Sequence, residues 1–174
     1  IKKLSSTKSP EPFIAQVQRP ENAPLEKKKR ILCLDEVKDP GNVGTLIRSA
    51  TAFGFDGVFL TSHSADPFMC KALSAARGAT FRIPIMIAPL NDLLKIIKKN
   101  NLTPFFASKY GDKNVFFKKP FVLILGNESF GATKTLENIS HSIGIKISDD
   151  VESLNVAVAG SILMNKFQES LWQK

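Results

Sequence analysis

Three polar, glycine-bearing turns, each attached to a strongly apolar segment, carry most of the chemically useful side chains of this 174-residue chain. The first is Asp39-Pro40-Gly41-Asn42-Val43-Gly44, followed by the guanidinium of Arg48. The second is Leu125-Gly126-Asn127-Glu128-Ser129-Phe130-Gly131, and the third is Ser153-Leu154-Asn155 at the mouth of an apolar run ending at Gly160. Ordinary core-building would place neither Ser153 nor Asn155 there. Arg48 can form a salt bridge with Glu128 or Asp35, or offer planar, bidentate recognition to a phosphate or hydroxyl. Glu128 adds a carboxylate beside a glycine turn whose bare backbone admits a flat ligand. Asn42 and Ser153 also have simpler uses as N-caps of the helices they precede. Each turn alone is a weak signal, and their joint occurrence points to one site.

The elements that must hold these turns alternate between strands and helices. Short apolar runs at 31–34, 58–60, 103–108 and 121–125 read as buried strands, and residues 83–87 as a strand at an edge because Pro84 interrupts it. Helical spacing covers 43–53, 67–77 with Asp66 as N-cap, 90–100, 133–139 and about 154–172, with a strand expected at 143–147. Alternation of this kind predicts an α/β fold, a mainly parallel sheet with helices on both faces. Ligands in such folds bind beyond the carboxyl ends of the strands. All three turns fall there.

Residues 1–29 are expected to be a linker with one short strand at 13–17, preceding a single domain over 30–174. The composition is that of a globular protein, with 43% hydrophobic and 23% charged residues and no apolar run long enough to cross a bilayer. No cleavable signal pattern precedes the fold, so the cytoplasm is the expected compartment. Cys33 and Cys70 lack metal or redox spacing and read as buried small hydrophobes. His63 and His141 fall in no motif and read as surface or loop residues. The net charge of +8 favours a polyanionic partner, nucleic acid above all. Lys27-Lys28-Lys29-Arg30 reads as a solvated charge run, or more sharply as a contact for RNA phosphates. Phe116-Phe117 beside Lys118-Lys119 could stack on an unpaired base.

The second turn is neither a dinucleotide fingerprint nor a Walker A loop, lacking the third glycine of one and the Gly-Lys-Ser/Thr of the other. Residues 39–50, 123–131 and 152–159 instead resemble, in this order, the three motifs of the SpoU-type branch of the SPOUT methyltransferases. The resemblance covers about residues 30–172. It implies a deep trefoil knot at the C-terminal end and transfer of a methyl group from S-adenosylmethionine to a ribose 2′-hydroxyl of rRNA or tRNA. A knotted RNA-binding or ribosome-assembly factor without turnover is the alternative it leaves open.

By the same resemblance Asn42, Arg48, Glu128, Ser153 and Asn155 are catalytic-site residues, with Arg48 orienting or deprotonating the target hydroxyl with help from an RNA phosphate. The cofactor is expected against Ala107, Ser108, Leu125, Gly126, Ile145 and Leu154. No metal is implied, because a sulfonium already provides a good leaving group. A homodimer is expected, with Ile162, Leu163, Phe167 and Leu171 as the face of the last helix needing cover.

Overall fold

The computed structural model describes residues 15–114 and 120–172, with side chains in the last helix described as far as residue 169. The strands are β1 (Arg30–Leu34), β2 (Gly57–Thr61), β3 (Ile85–Ala88), β4 (Thr103–Asp112), β5 (Phe121–Leu125) and β6 (His141–Ile143). They form one sheet in the order β3-β2-β1-β5-β4-β6, with every pairing parallel. The helices are α1 (Pro40–Ala52), α2 (Cys70–Ala76), α3 (Leu90–Lys99), α4 (Lys134–Ile139) and α5 (Val156–Trp172), with a single 3-10 turn at Ala79–Phe81.

The period of two along β1 and β5 divides the core. Leu32, Leu34, Leu123 and Leu125 face α1, α2 and α5, whereas Ile31, Cys33, Val122 and Ile124 face α3 and α4. Both faces of the central strands are therefore apolar, as a parallel sheet covered on both sides requires. Phe167 anchors α5 to this core. Its ring stacks on Phe121 at 4.2 Å and meets Phe55 and Phe105 edge-on. Leu163 and Phe167, expected on an uncovered face, are instead 2% and 1% exposed, buried within their own chain. Ile162 is exposed, and the side chain of Leu171 lies outside the described residues.

Several boundaries differ from the sequence reading for local reasons. Helix α1 starts three residues early because Asp39, not Asn42, caps it and Pro40 occupies its first turn. Helix α2 starts late, since Asp66 accepts from Phe68 N–H and closes a separate turn. Strand β6 stops at Ile143, and the alternating residues beyond it turn their side chains to a cavity. Cys70 is exposed, whereas Cys33 is buried as expected. Residues 15–17 form no strand, and residues 13, 14 and 115–119 lie outside the described residues.

Residues 19–25 strap the open edge of the sheet. Arg19 pairs with Asp66 at 2.8 Å and covers the ring of Phe68. The Asn22 side chain exchanges two hydrogen bonds with the backbone of Ile87, and Ala23 N–H donates to Ile85. Leu25, fully buried, then plugs the core below β2. The strap covers the backbone groups of an edge strand that would otherwise invite pairing with another chain.

Candidate active site at the carboxyl ends of the strands

The first turn is built around Asp39. Its Oδ1 accepts the Asn42 N–H at 2.8 Å, and Lys71 donates to its other oxygen. The Lys71 hydrogen bond, followed by the one from the Asn42 backbone, holds the Asp39 carboxyl below its ordinary range. Because Asp39 does the capping, the Asn42 side chain is released for other partners.

Those partners are the other two turns. Asn42 Nδ2 donates to Glu128 Oε1 at 3.0 Å, and Asn42 Oδ1 accepts from Asn155 Nδ2 at 3.1 Å. Asn155 Oδ1 in turn accepts the N–H groups of Ala157 and Val158, capping α5. Asn155 thus performs the capping that Ser153 was expected to provide. The side chain of Ser153 makes no hydrogen bond to the described residues. Three turns distant in sequence are joined by one line of side-chain hydrogen bonds from Glu128 through Asn42 to the start of α5.

The second turn is pinned by Asn127, which sequence reasoning did not single out. Asn127 and Gly131 exchange both backbone hydrogen bonds, and Asn127 Oδ1 accepts from Ser129 and Phe130 N–H. Its Nδ2 donates to the carbonyl of Glu36, at the end of β1. The available signal was an Asn followed two residues later by Ser within a glycine-bounded turn. Gly126 completes the loop, since a Cβ there would sit 2.2 Å from Ala132 N.

Asp35, named from the sequence only as one candidate partner of Arg48, is 1% exposed. It accepts the Thr133 N–H at 2.7 Å, tying β1 to the approach of α4, and makes no ion pair with Arg48. Burial, with the Asp35 charge nearby, pushes the Cys33 thiol well above its ordinary value, so it remains a protonated core residue.

Between these turns opens a cavity of about 610 Å³ at the ends of β4, β5 and β6. Leu125, Ile143, Ile145 and Leu154 supply its apolar walls, and Ala107, Ser108 and Gly126 contribute where the backbone is near. Glu128, Ser153 and Asn155 also line it. Gly144 must be bare, because a Cβ would approach Gly111 O to 2.7 Å and Ser108 O to 3.0 Å. The size lies in the range of small-molecule sites, and apolar walls with a few convergent polar groups suit a flat heterocycle carrying a polar tail.

Nine of the eleven residues expected at the site line this cavity, and Asn42 is bonded to two of them. Arg48 stands apart. It is exposed on α1, does not line the cavity, and makes no hydrogen bond or ion pair with the described residues, so of its two readings the salt bridge to Glu128 or Asp35 is absent.

Comparison with known proteins gives this geometry a family. Residues 29–165 match the model of the SpoU rRNA Methylase family. The 23S rRNA (guanosine(2553)-2'-O)-methyltransferase of Bacillus subtilis is 33% identical over 165 residues, covering 92% of this chain and 66% of its own length. An uncharacterized tRNA/rRNA methyltransferase of Synechocystis is 28% identical and is covered over 65% of its length, so the chain spans just under two-thirds of these curated relatives. Among solved structures, an AdoMet-bound rRNA methyltransferase from Sinorhizobium meliloti is 30% identical with a TM-score of 0.77, covering 86% of this chain and 59% of that one. A putative RNA methyltransferase of the TrmH family from Porphyromonas gingivalis is 30% identical with a TM-score of 0.79, covering 97% of this chain and 70% of that one. Parallel sheet, cavity position, joined turns and family model agree: the chain belongs to the SpoU rRNA methylase family.

Proposed function

We propose that this chain transfers a methyl group from S-adenosylmethionine to a ribose 2′-hydroxyl of rRNA or tRNA. The observation that carries the reading is the hydrogen-bonded line Glu128–Asn42–Asn155 at the rim of the 610 Å³ cavity. A purely structural role for these residues would not require three separate turns to converge on a cavity walled by Leu125, Ile145 and Leu154. The cofactor, when bound, would supply an electrophilic methyl on a sulfonium. Leu125, Gly126, Ile145 and Leu154, with Ala107 and Ser108, would hold it by apolar contact and backbone approach. Asn42 and Asn155 keep the Glu128 carboxylate turned to the rim, and Ser153 offers its free hydroxyl there.

What remains for the protein is to orient the hydroxyl and accept its proton. Arg48, with no partner among the described residues, is the group we assign to the RNA. Arg48 binds and orients through its planar fork, and an RNA phosphate beside it assists proton removal. Because Arg48 does not line its own cavity, the reading includes a homodimer in which a second copy completes the site. The trefoil knot is likewise carried by family membership, and the cytoplasm is the setting we assign.

Incubation with tritiated S-adenosylmethionine and total rRNA or tRNA, followed by mapping of 2′-O-methyl positions, tests the proposal. No incorporation, with S-adenosylhomocysteine still bound, would make the chain a knotted RNA-binding factor without turnover.

A further inference from the structure

Among the described residues, the charged groups lining the cavity are the carboxylates of Glu128 and Glu137 and the ammonium of Lys109. That rim is a poor source of affinity for a polyanion. The cavity lining therefore does not account for the net charge of +8.

A basic cluster lies at the opposite end of the sheet. Strand β1 begins at Arg30, directly after Lys27, Lys28 and Lys29, and α3 ends on Lys98 and Lys99. Asn100 fastens the two together. Its Nδ2 donates to the carbonyls of Leu25 and Lys28, and its Oδ1 accepts the Lys27 N–H at 3.1 Å. Lys27 and Asn101 both take positive φ, 62° and 52°, a conformation that asparagine tolerates and that is uncommon for lysine. Leu25, fully buried, and the bond from Lys29 N–H to Asp56 hold the loop on either side. The lysines are thus presented by a braced loop, not by a free tail.

Their charges are also uncommitted. Lys99 has Glu26 at 3.7 Å, but Lys27, Lys28, Lys29 and Lys98 make no ion pair with the described residues. Favourable placement at a helix C-terminus accounts for Lys98 and Lys99 alone. It does not account for a second run of lysines fastened beside them.

We propose that Lys27, Lys28, Lys29 and Lys98 form a second RNA-contacting surface, which grips backbone phosphates of a duplex away from the reacting nucleotide. The inference rests on the reading of the cavity as the reacting site. A five-residue strand is about 17 Å long, so patch and cavity are separated by on the order of half a turn of a duplex. Contacts there add affinity without reading sequence.

Two variants test it: Lys27→Gln/Lys28→Gln/Lys98→Gln, and Lys98→Gln/Lys99→Gln on the exposed helix alone, where folding is not at stake. Binding of an RNA duplex two turns long is measured by fluorescence anisotropy over a range of salt, with S-adenosylhomocysteine binding measured alongside. The triple variant should lower the slope of log affinity against log salt by roughly 2 to 3, at ~0.9 per lost phosphate contact. The double variant should lower it by about 1. Affinity at low salt should fall at least about tenfold in the triple variant, with analogue binding unchanged. Slope and affinity equal to wild type in both variants would overturn the proposal. So would loss of binding to phosphatidylserine vesicles with duplex binding intact, which would assign the patch to a membrane. A wild-type chain that binds duplex with full slope but transfers no methyl would sink the reading of the cavity, while the slopes still decide the patch.

Discussion

Asn42 and Glu128, 86 residues apart in sequence, are joined by a 3.0 Å hydrogen bond that exists only because Asp39 relieves Asn42 of capping α1. A cap taken by one residue frees another to organise the rim. Asn42→Ala removes both the donor to Glu128 and the acceptor for Asn155. These bonds are solvent-accessible, so the expected loss of stability is only about 0.5–1.5 kcal/mol. Methyl transfer should fall much further, by at least about tenfold, because a mispositioned catalytic group costs more than a lost surface bond. Equal, small losses in melting temperature and turnover would show the Asn42 bonds to be merely structural.

Arg48→Ala separates a role in chemistry from a role in the fold. The side chain is exposed and uncommitted, so its removal should leave melting temperature and S-adenosylhomocysteine affinity close to wild type. Transfer should become undetectable, and Arg48→Lys should not restore it, since an ammonium lacks the planar fork. Loss of analogue binding in Arg48→Ala would count against the assignment.

Asp39 gives a pH signature. Its folded-state carboxyl is held below the ordinary value by Lys71 and the Asn42 N–H. Its stabilising contribution is therefore fully present above the unfolded-state value, about pH 4, and fades as the pH falls through the lowered folded value. Asp39→Ala should cost ~0.5–2 kcal/mol as a lost N-cap at neutral pH. The difference from wild type should shrink on acidification below about pH 4 in thermal melts. Since Asp39 also frees Asn42, the variant should lose activity at neutral pH as well. A pH-independent difference would mean that the charge of Asp39 plays no part.

These residues also show what a linear reading can and cannot see. Continuous apolar runs in β1 and β5, and period 3.6 in α1 and α3, specify a parallel sheet covered on both faces, but not its strand order. The cavity residues Gly126, Ile145 and Leu154 were legible through the resemblance of the motifs to a known family, while glycine and polar residues interrupting apolar runs marked only the turns. The partners of Asn42 were not legible, since Pro40 makes Asp39 the cap and the freed Asn42 side chain finds Glu128 and Asn155 far along the sequence. Ile145 and Ile147 carry strand alternation yet face the cavity, since alternation alone cannot distinguish a ladder from a ligand wall. Leu163 and Phe167 were placed on an open face because helical periodicity says nothing about which side finds Phe121.

Gly126→Ala tests the backbone wall. The new Cβ would lie 2.2 Å from both Ala132 N and Gly131 C, atoms of a loop closed by paired backbone hydrogen bonds. Neither neighbour is a flexible side chain, so the loop, whose Gly126 and Gly131 line the cavity, must shift. Binding of S-adenosylhomocysteine should weaken at least about tenfold, with a stability loss of about 1–3 kcal/mol from overpacking. Unchanged analogue binding in calorimetry would remove the 126–131 loop from the cofactor site.

The surface beside Arg48 argues for the second copy. Val158 and Ile162 are 49% and 37% exposed and lie one turn apart on α5. Helix α5 packs on α1, where Ser161 and Ser49 share a 2.8 Å hydrogen bond, so this apolar pair adjoins the exposed α1 residues Thr45, Arg48 and Ala52. Small and apolar side chains around one uncommitted guanidinium suit a symmetric interface in which each copy brings Arg48 to the other's cavity. Val158→Glu/Ile162→Glu should therefore yield monomers in sedimentation that bind S-adenosylhomocysteine but transfer no methyl. Mixing an Arg48→Ala chain with a Glu128→Ala chain then gives the sharper result. If the two groups act across the interface, the heterodimer keeps one intact site and activity returns to a fraction of wild type, whereas sites contained within one chain leave the mixture inactive.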